Sequence, residues 1–231
     1  AEGQAAASAW DLILIPGVEI SVTWGGRTIH ILGLGIDPKA SALNAGLRGI
    51  RDFRAWRAQE IGHRLAAKGI EGAYAGALTL AADERFVGRT HFARYLVQRG
   101  YAATVRDVFK RYLVRGKPGH VPGNWAPLED ALGWIREAGG QAVIAHPARY
   151  GLTGFKMRHL MGEFRELGGV GIEVISGSHS RDEACLYAQR SRDSGLLASV
   201  GSDYHGPEHP YMELGRLPKL PPGCAPIWAD W

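Results

Sequence analysis

From Pro127 to Gly201 the sequence alternates between two hydrophobic periods, and this alternation constrains the fold more than any other feature. "APLEDALGWIREAGG" sets Leu128, Leu132 and Ile135 at i, i+4 and i+7 behind Pro127, and Gly139-Gly140 closes it, so it reads as a helix. "QAVIAHP" (141–147) follows as a short buried strand. "KMRHLMGEFRELGG" (156–169) is again helical, with Leu160, Phe164 and Leu167 on one face, and "VGIEVIS" (170–176) is a strand. "SRDEACLYAQRSRDSG" (180–195) is a third helix and "LLASVG" (196–201) a third strand. Apolar strands separated by helices predict parallel βα units and an α/β fold.

Residues 11–37 are strand-like throughout. Within them "GVEISVTW" and "RTIHILG" flank Gly25-Gly26, a pair suited to the positive φ angles of a type I′ hairpin turn. In that register Ser21 lies opposite His30 and Glu19 opposite Leu32. Glu19 and His30 then share a face as diagonal neighbours, about 7–8 Å apart at the backbone, and a slip of one residue would separate them. Residues 42–125 have a different texture, rich in helix and arginine. "ALNAGLRGIRDFRAWRAQEIGHRLAAKG" (42–69) carries an apolar stripe of Ile50, Phe53, Ile61 and Leu65. "RTHFARYLVQRG" (89–100) and "TVRDVFKRYLVRG" (104–116) are shorter helices, and the Pro/Gly-rich "KPGHVPGNWAP" (117–127) reads as a return linker. The expected organisation is an α/β domain built from 1–41 and 126–231, interrupted by a helical insertion at 42–125.

Composition narrows the function classes. The chain has 231 residues with 45% hydrophobic content, ample for a sizeable core. A net charge of +4 suits an anionic substrate, but no long Lys/Arg run marks a nucleic-acid-coating surface. Two cysteines without a CxxC exclude a disulfide framework and a thiolate zinc site, and point to a reducing, cytoplasmic compartment. No window reaches the roughly 18 apolar residues of a membrane span, and no obligate protein partner is indicated.

Parallel β/α domains place their chemistry at the C-terminal ends of strands. Here those ends carry His146, then Ser176, Ser178 and His179, then Asp203 and His205. If "SDYH" is extended, Asp203 and His205 point one way and Tyr204 the other. With the hairpin pair, the candidate ligands are Glu19, His30, His146, Asp203 and His205. Imidazole and carboxylate without thiolate suit Mn²⁺, Zn²⁺ or Fe²⁺. Taken one at a time, each has a plainer reading: a structural histidine in "AHP", or an aspartate capping the segment after a Gly-Ser turn.

"GVEIS", "IHILGLGID", "RTHFARYL", "VIAHPARY", "GIEVISGSHS" and "VGSDYHGP" follow one another as in the PHP (polymerase and histidinol phosphatase) family of metallophosphoesterases. Nearly the whole chain resembles the family's TrpH/YciV-like branch, which contains a nucleotide bisphosphate phosphatase and a 5′-to-3′ exoribonuclease. The resemblance implies a distorted (β/α)₇ barrel with up to three divalent ions, Mn²⁺ first and Zn²⁺, Fe²⁺ or Mg²⁺ as alternatives. It makes Glu19 a bridging carboxylate, His30 and His146 ligands of the second ion, Asp203 a ligand of the first and His205 of the third. The insertion would cap the site, with Arg89, His91 and Arg149 facing the substrate phosphate and His91 placed to protonate the leaving group. The family opens with an HxH motif and a DH pair, and neither occurs here. The resemblance therefore implies an N-terminally incomplete barrel, whose first units, on the order of 60 residues, supply about half of the ligands. The implied function is hydrolysis of 3′,5′-bisphosphonucleotides, RNA 5′ ends, or both, with water as nucleophile. A small-molecule phosphatase such as one for histidinol phosphate, or a non-catalytic interaction module, are the alternatives.

Overall fold

The structure, a computed structural model, describes residues 2–81, 83–204 and 214–231. In chain order the elements are α1 (Glu2–Ala9), β1 (Gly17–Trp24), β2 (Arg27–Leu34), α2 (Ser41–Ala66), α3 (Ala73–Leu78), α4 (Arg89–Gln98) and α5 (Val105–Val108). They continue with β3 (Ala126–Pro127), α6 (Leu128–Glu137), β4 (Gln141–Ile144), α7 (Gly154–Glu166), β5 (Gly171–Ser176), α8 (Arg181–Ser194) and β6 (Leu197–Gly201). A π-helical turn, Phe109–Leu113, extends α5, and a short 3₁₀ turn, Pro147–Tyr150, follows β4. The chain divides into two compact units, Ala1–Gly46 with Ala126–Trp231, and Leu47–Trp125. No helix among the described residues is long and apolar enough to cross a membrane.

The first unit is an α/β unit around a mixed sheet of strand order β3-β1-β2-β4-β5-β6. The β1–β2 hairpin turns at Gly25 and Gly26, whose φ angles of 53° and 72° are the left-handed values such a turn requires. It pairs Ser21 with His30 and Glu19 with Leu32. The period of two then sorts the side chains: Ile20, Val22, Ile29 and Ile31 are buried on one face, while Glu19, Ser21 and His30 share the other. β2 runs antiparallel to β4, and β4, β5 and β6 are mutually parallel, joined through α7 and α8. Every residue of β5 is buried, as expected of a parallel strand covered on both faces.

Two local expectations fail. The strand character read from residue 11 onward stops short of β1: residues 12–16 have no regular structure, and Leu12 and Ile13 are exposed. Pro16 has no N–H to give to a ladder, and its carbonyl accepts instead from the N–H groups of Gly35 and Ile36. The second failure concerns Asp203. Its φ of 52° breaks the extended run assumed for "SDYH", so the alternation argument does not carry through it.

The second unit is helical around a core of its own, in which Ile61, Leu65, Phe92, Leu96, Val108 and Leu113 are fully buried. The buried Arg57 ties α2 to the return segment: its Nε and one terminal nitrogen donate to the Val121 carbonyl at 3.0 and 2.8 Å. Arg54 and Arg57 both lie over the Trp125 ring.

Candidate metal centre

Three of the five expected ligands converge. Glu19 from β1, His30 from β2 and His146 just beyond β4 bring one atom each into a tight triangle. His30 Nδ1 lies 2.7 Å from Glu19 Oε1, His146 Nε2 lies 3.1 Å from the same oxygen, and the two ring nitrogens are 3.2 Å apart. Bonds of about 2.1 Å from imidazole and carboxylate to one ion, at tetrahedral or octahedral angles, put ligand atoms about 3 Å apart. The triangle therefore fits one face of a coordination sphere, and the donor set suits a borderline divalent ion.

The electrostatics match. Burial raises the pKa of Glu19, but the hydrogen bonds and charges of His146 and His30 outweigh it and hold the carboxyl well below the usual carboxylate range. Glu19 is thus an anion available to a cation. His146 is buried, and its Nδ1 has no partner among the described residues.

The second sphere is built by backbone and side chain together. The Tyr150 hydroxyl accepts from the His30 N–H at 2.8 Å and donates to the Ala145 carbonyl at 2.7 Å, while the Ala145 N–H donates to the His30 carbonyl at 3.1 Å. Burial pushes the Tyr150 phenol far above its ordinary value, so it stays a donor. His179, beside the site, is engaged on both ring nitrogens: its Nδ1 reaches the Val174 carbonyl at 3.1 Å, its Nε2 accepts from Ala148 N–H, and its ring stacks on Tyr187.

Asp203 lies outside the triangle of ligand atoms. It lines the same cleft as Glu19 and His146, of about 450 Å³, and its Oδ2 accepts from Arg149 at 2.6 Å. Arg149 is half exposed at that position. His205, the fifth expected ligand, lies outside the described residues. Arg89 and His91 belong to the second unit, at the start of α4. The His91 Nδ1 accepts from the Gly88 N–H at 3.0 Å and so caps that helix, leaving Nε2 to carry the proton. Burial, then the Arg94 charge, lowers the His91 pKa, so the ring is neutral near pH 7.

Two residues beside the cluster were not singled out from sequence. Tyr150 gives no local signal, since its role depends on the turn that folds it back over β2. Glu173 did carry one: a carboxylate in the middle of a continuous apolar strand. It is buried, and burial, with repulsion from Asp203 and Glu19, pushes its pKa up to about 8 against the hydrogen bond from His146 N–H.

A 3′,5′-nucleoside bisphosphate phosphatase from Chromobacterium violaceum is 48% identical over 230 residues, spanning 100% of this chain and 81% of that protein. The chain belongs to its family, the PHP phosphoesterases. Other PHP relatives include the 5′-3′ exoribonuclease Rnm of Salmonella typhimurium and that of Escherichia coli, each 44% identical over 220 residues, 95% of this chain and 74% of theirs. Among solved structures, an amidohydrolase from Chromobacterium violaceum, with sulfate bound and no metal, superposes with a TM-score of 0.93 at 48% identity, over 98% of this chain and 79% of that one. A Bifidobacterium adolescentis protein, provisionally described as a metal-dependent phosphoesterase, shares the PHP fold at a TM-score of 0.74 and 24% identity, over 89% of this chain and 72% of that one. No protein-family model matches the sequence.

Proposed function

We propose that this PHP protein is a metal-dependent phosphoric ester hydrolase acting on 3′,5′-bisphosphonucleotides, on RNA 5′ ends, or on both. The observation that carries the reading is the convergence of Glu19, His30 and His146 within 3.2 Å, in a chain nearly half identical to a bisphosphate phosphatase. In this reading the three hold a divalent ion, Mn²⁺ first, and Asp203 and His205 contribute to neighbouring sites by the order of the family motifs. A divalent ion bound there would neutralise phosphoryl charge and acidify water for attack.

The chain's own groups supply the rest. The anionic Glu19 offers negative charge to a cation, and the His30 and His146 imidazoles complete the triangle. The Arg149 guanidinium, tethered by Asp203, offers its remaining N–H donors to phosphate oxygens in a planar fork. The sulfate in the Chromobacterium violaceum amidohydrolase supports a site for a tetrahedral anion. Arg89 and His91 are further phosphate contacts in this reading, by the order of the family motifs. His91, with Nδ1 occupied by the helix cap, presents Nε2–H as a donor to a phosphate or leaving oxygen.

The test is to assay the full-length protein with Mn²⁺ on 3′,5′-bisphosphoadenosine and on a 5′-phosphorylated oligoribonucleotide. Release of inorganic phosphate from the first or of 5′ mononucleotides from the second, abolished by His146→Ala, is expected. Turnover of neither substrate refutes the reading.

A further inference from the structure

Glu173 has no part in the assignments above, yet it is the one carboxylate among the buried polar side chains of the described residues. Its Oε2 accepts from the His146 backbone N–H at 2.5 Å. That peptide leads into a residue with φ 25° and ψ 58°, a conformation that a non-glycine residue holds only when its surroundings fix it. On the other side lies Gly201, the last residue of β6. A Cβ there would sit 2.1 Å from Glu173 Oε1, so the Glu173 carboxyl group occupies space that glycine leaves open. Two residues beyond Gly201 comes Asp203, also at positive φ. One buried carboxyl group therefore touches the two strand ends that deliver His146 and Asp203 to the cleft.

We propose that Glu173 is a positioning residue for the metal centre. It holds the His146 peptide so that Nε2 faces Glu19 and His30, and it requires Gly201 to keep its place. The inference rests on the ligand assignment made above. Residues that orient metal ligands change metal affinity by about 10–100-fold when removed. A residue serving stability alone lowers the melting temperature without that change.

The experiment titrates Mn²⁺ into the metal-free, full-length protein, following free Mn²⁺ by electron paramagnetic resonance, with melting temperature and circular dichroism recorded beside it. Glu173→Ala and Gly201→Ala should each weaken Mn²⁺ binding about 10–100-fold in folded protein. Glu173→Gln, whose amide oxygen still accepts from His146, should keep most of the affinity. If Glu173→Ala does not fold, Gly201→Ala decides, because it displaces the carboxylate without removing it. Folded variants that bind Mn²⁺ as the parent does would overturn the inference and leave the ligand assignment standing. A parent protein that binds no Mn²⁺ would overturn the ligand assignment, and this inference with it.

Discussion

The hydroxyl of Tyr150 sits 2.8 Å from the backbone nitrogen of His30 and 2.7 Å from the carbonyl of Ala145, joining the strands that carry two of the candidate ligands. Tyr150→Phe keeps the ring and removes both bonds, leaving two backbone groups short of a partner. The expected loss is about 1–3 kcal/mol, read from urea denaturation. His30 should also lose its fixed position, so Mn²⁺ affinity should fall in the same variant. An unchanged midpoint and affinity would show that the hydroxyl holds nothing.

Arg57 is the comparable tie in the second unit. Its guanidinium is buried, and burial followed by the charges of Arg89 and Arg54 lowers its pKa to about 10, so it remains a cation at neutral pH. Arg57→Ala strips the Val121 carbonyl of two donors. A destabilisation of about 1–3 kcal/mol is expected, seen as a lower melting temperature with the helical circular dichroism of the folded state retained.

His91 links stability to pH. Its folded pKa lies below the ordinary value near 6.5, so between the two values the unfolded chain binds more protons. Its contribution is then complete above about pH 6.5 and lost as pH falls through the lowered value, when protonated Nδ1 no longer accepts from Gly88. His91→Gln can still accept at this capping position and cannot titrate. Denaturation midpoints measured from pH 5 to 8 should fall more steeply with acid in the parent than in the variant; parallel curves would refute the assignment.

Arg149→Met should separate binding from folding. The Arg149 side chain is half exposed, with Asp203 more buried beneath it, and ion pairs with a solvent-exposed partner contribute only about 0–1 kcal/mol to stability, so the melting temperature should move little. Losing a charge-assisted contact to phosphate should raise KM about tenfold or more. Arg149→Lys should recover little of it, because an ammonium lacks the planar fork. A parent-like KM in the Met variant would remove Arg149 from the substrate site.

Much of this architecture was legible in the sequence. Alternating hydrophobic periods ordered β4 through β6, and the Gly25-Gly26 turn fixed a register that sets Glu19 and His30 on one face. Strand pairing is arithmetic once the turn is known, so those two residues could be joined without coordinates. Asp203 could not be placed the same way: its left-handed backbone belongs to the loop beyond β6, and no period of two applies there. Leu12 and Ile13 look like strand by composition, but Pro16 denies that stretch a ladder. Glu173 is hidden because an apolar strand reads as core, and its partner, a peptide N–H bearing no side-chain signal, appears only in three dimensions.

In the proposed function, Glu19, His30 and His146 hold an ion on which phosphoester hydrolysis depends. Phosphate release from 3′,5′-bisphosphoadenosine, measured against Mn²⁺ concentration in the full-length parent and in His30→Ala, tests it most directly. The parent rate should saturate with Mn²⁺ and disappear with chelator. The His30→Ala rate should be at least about 10–100-fold lower at limiting Mn²⁺. A His30→Ala protein that matches the parent across the whole Mn²⁺ range would contradict it.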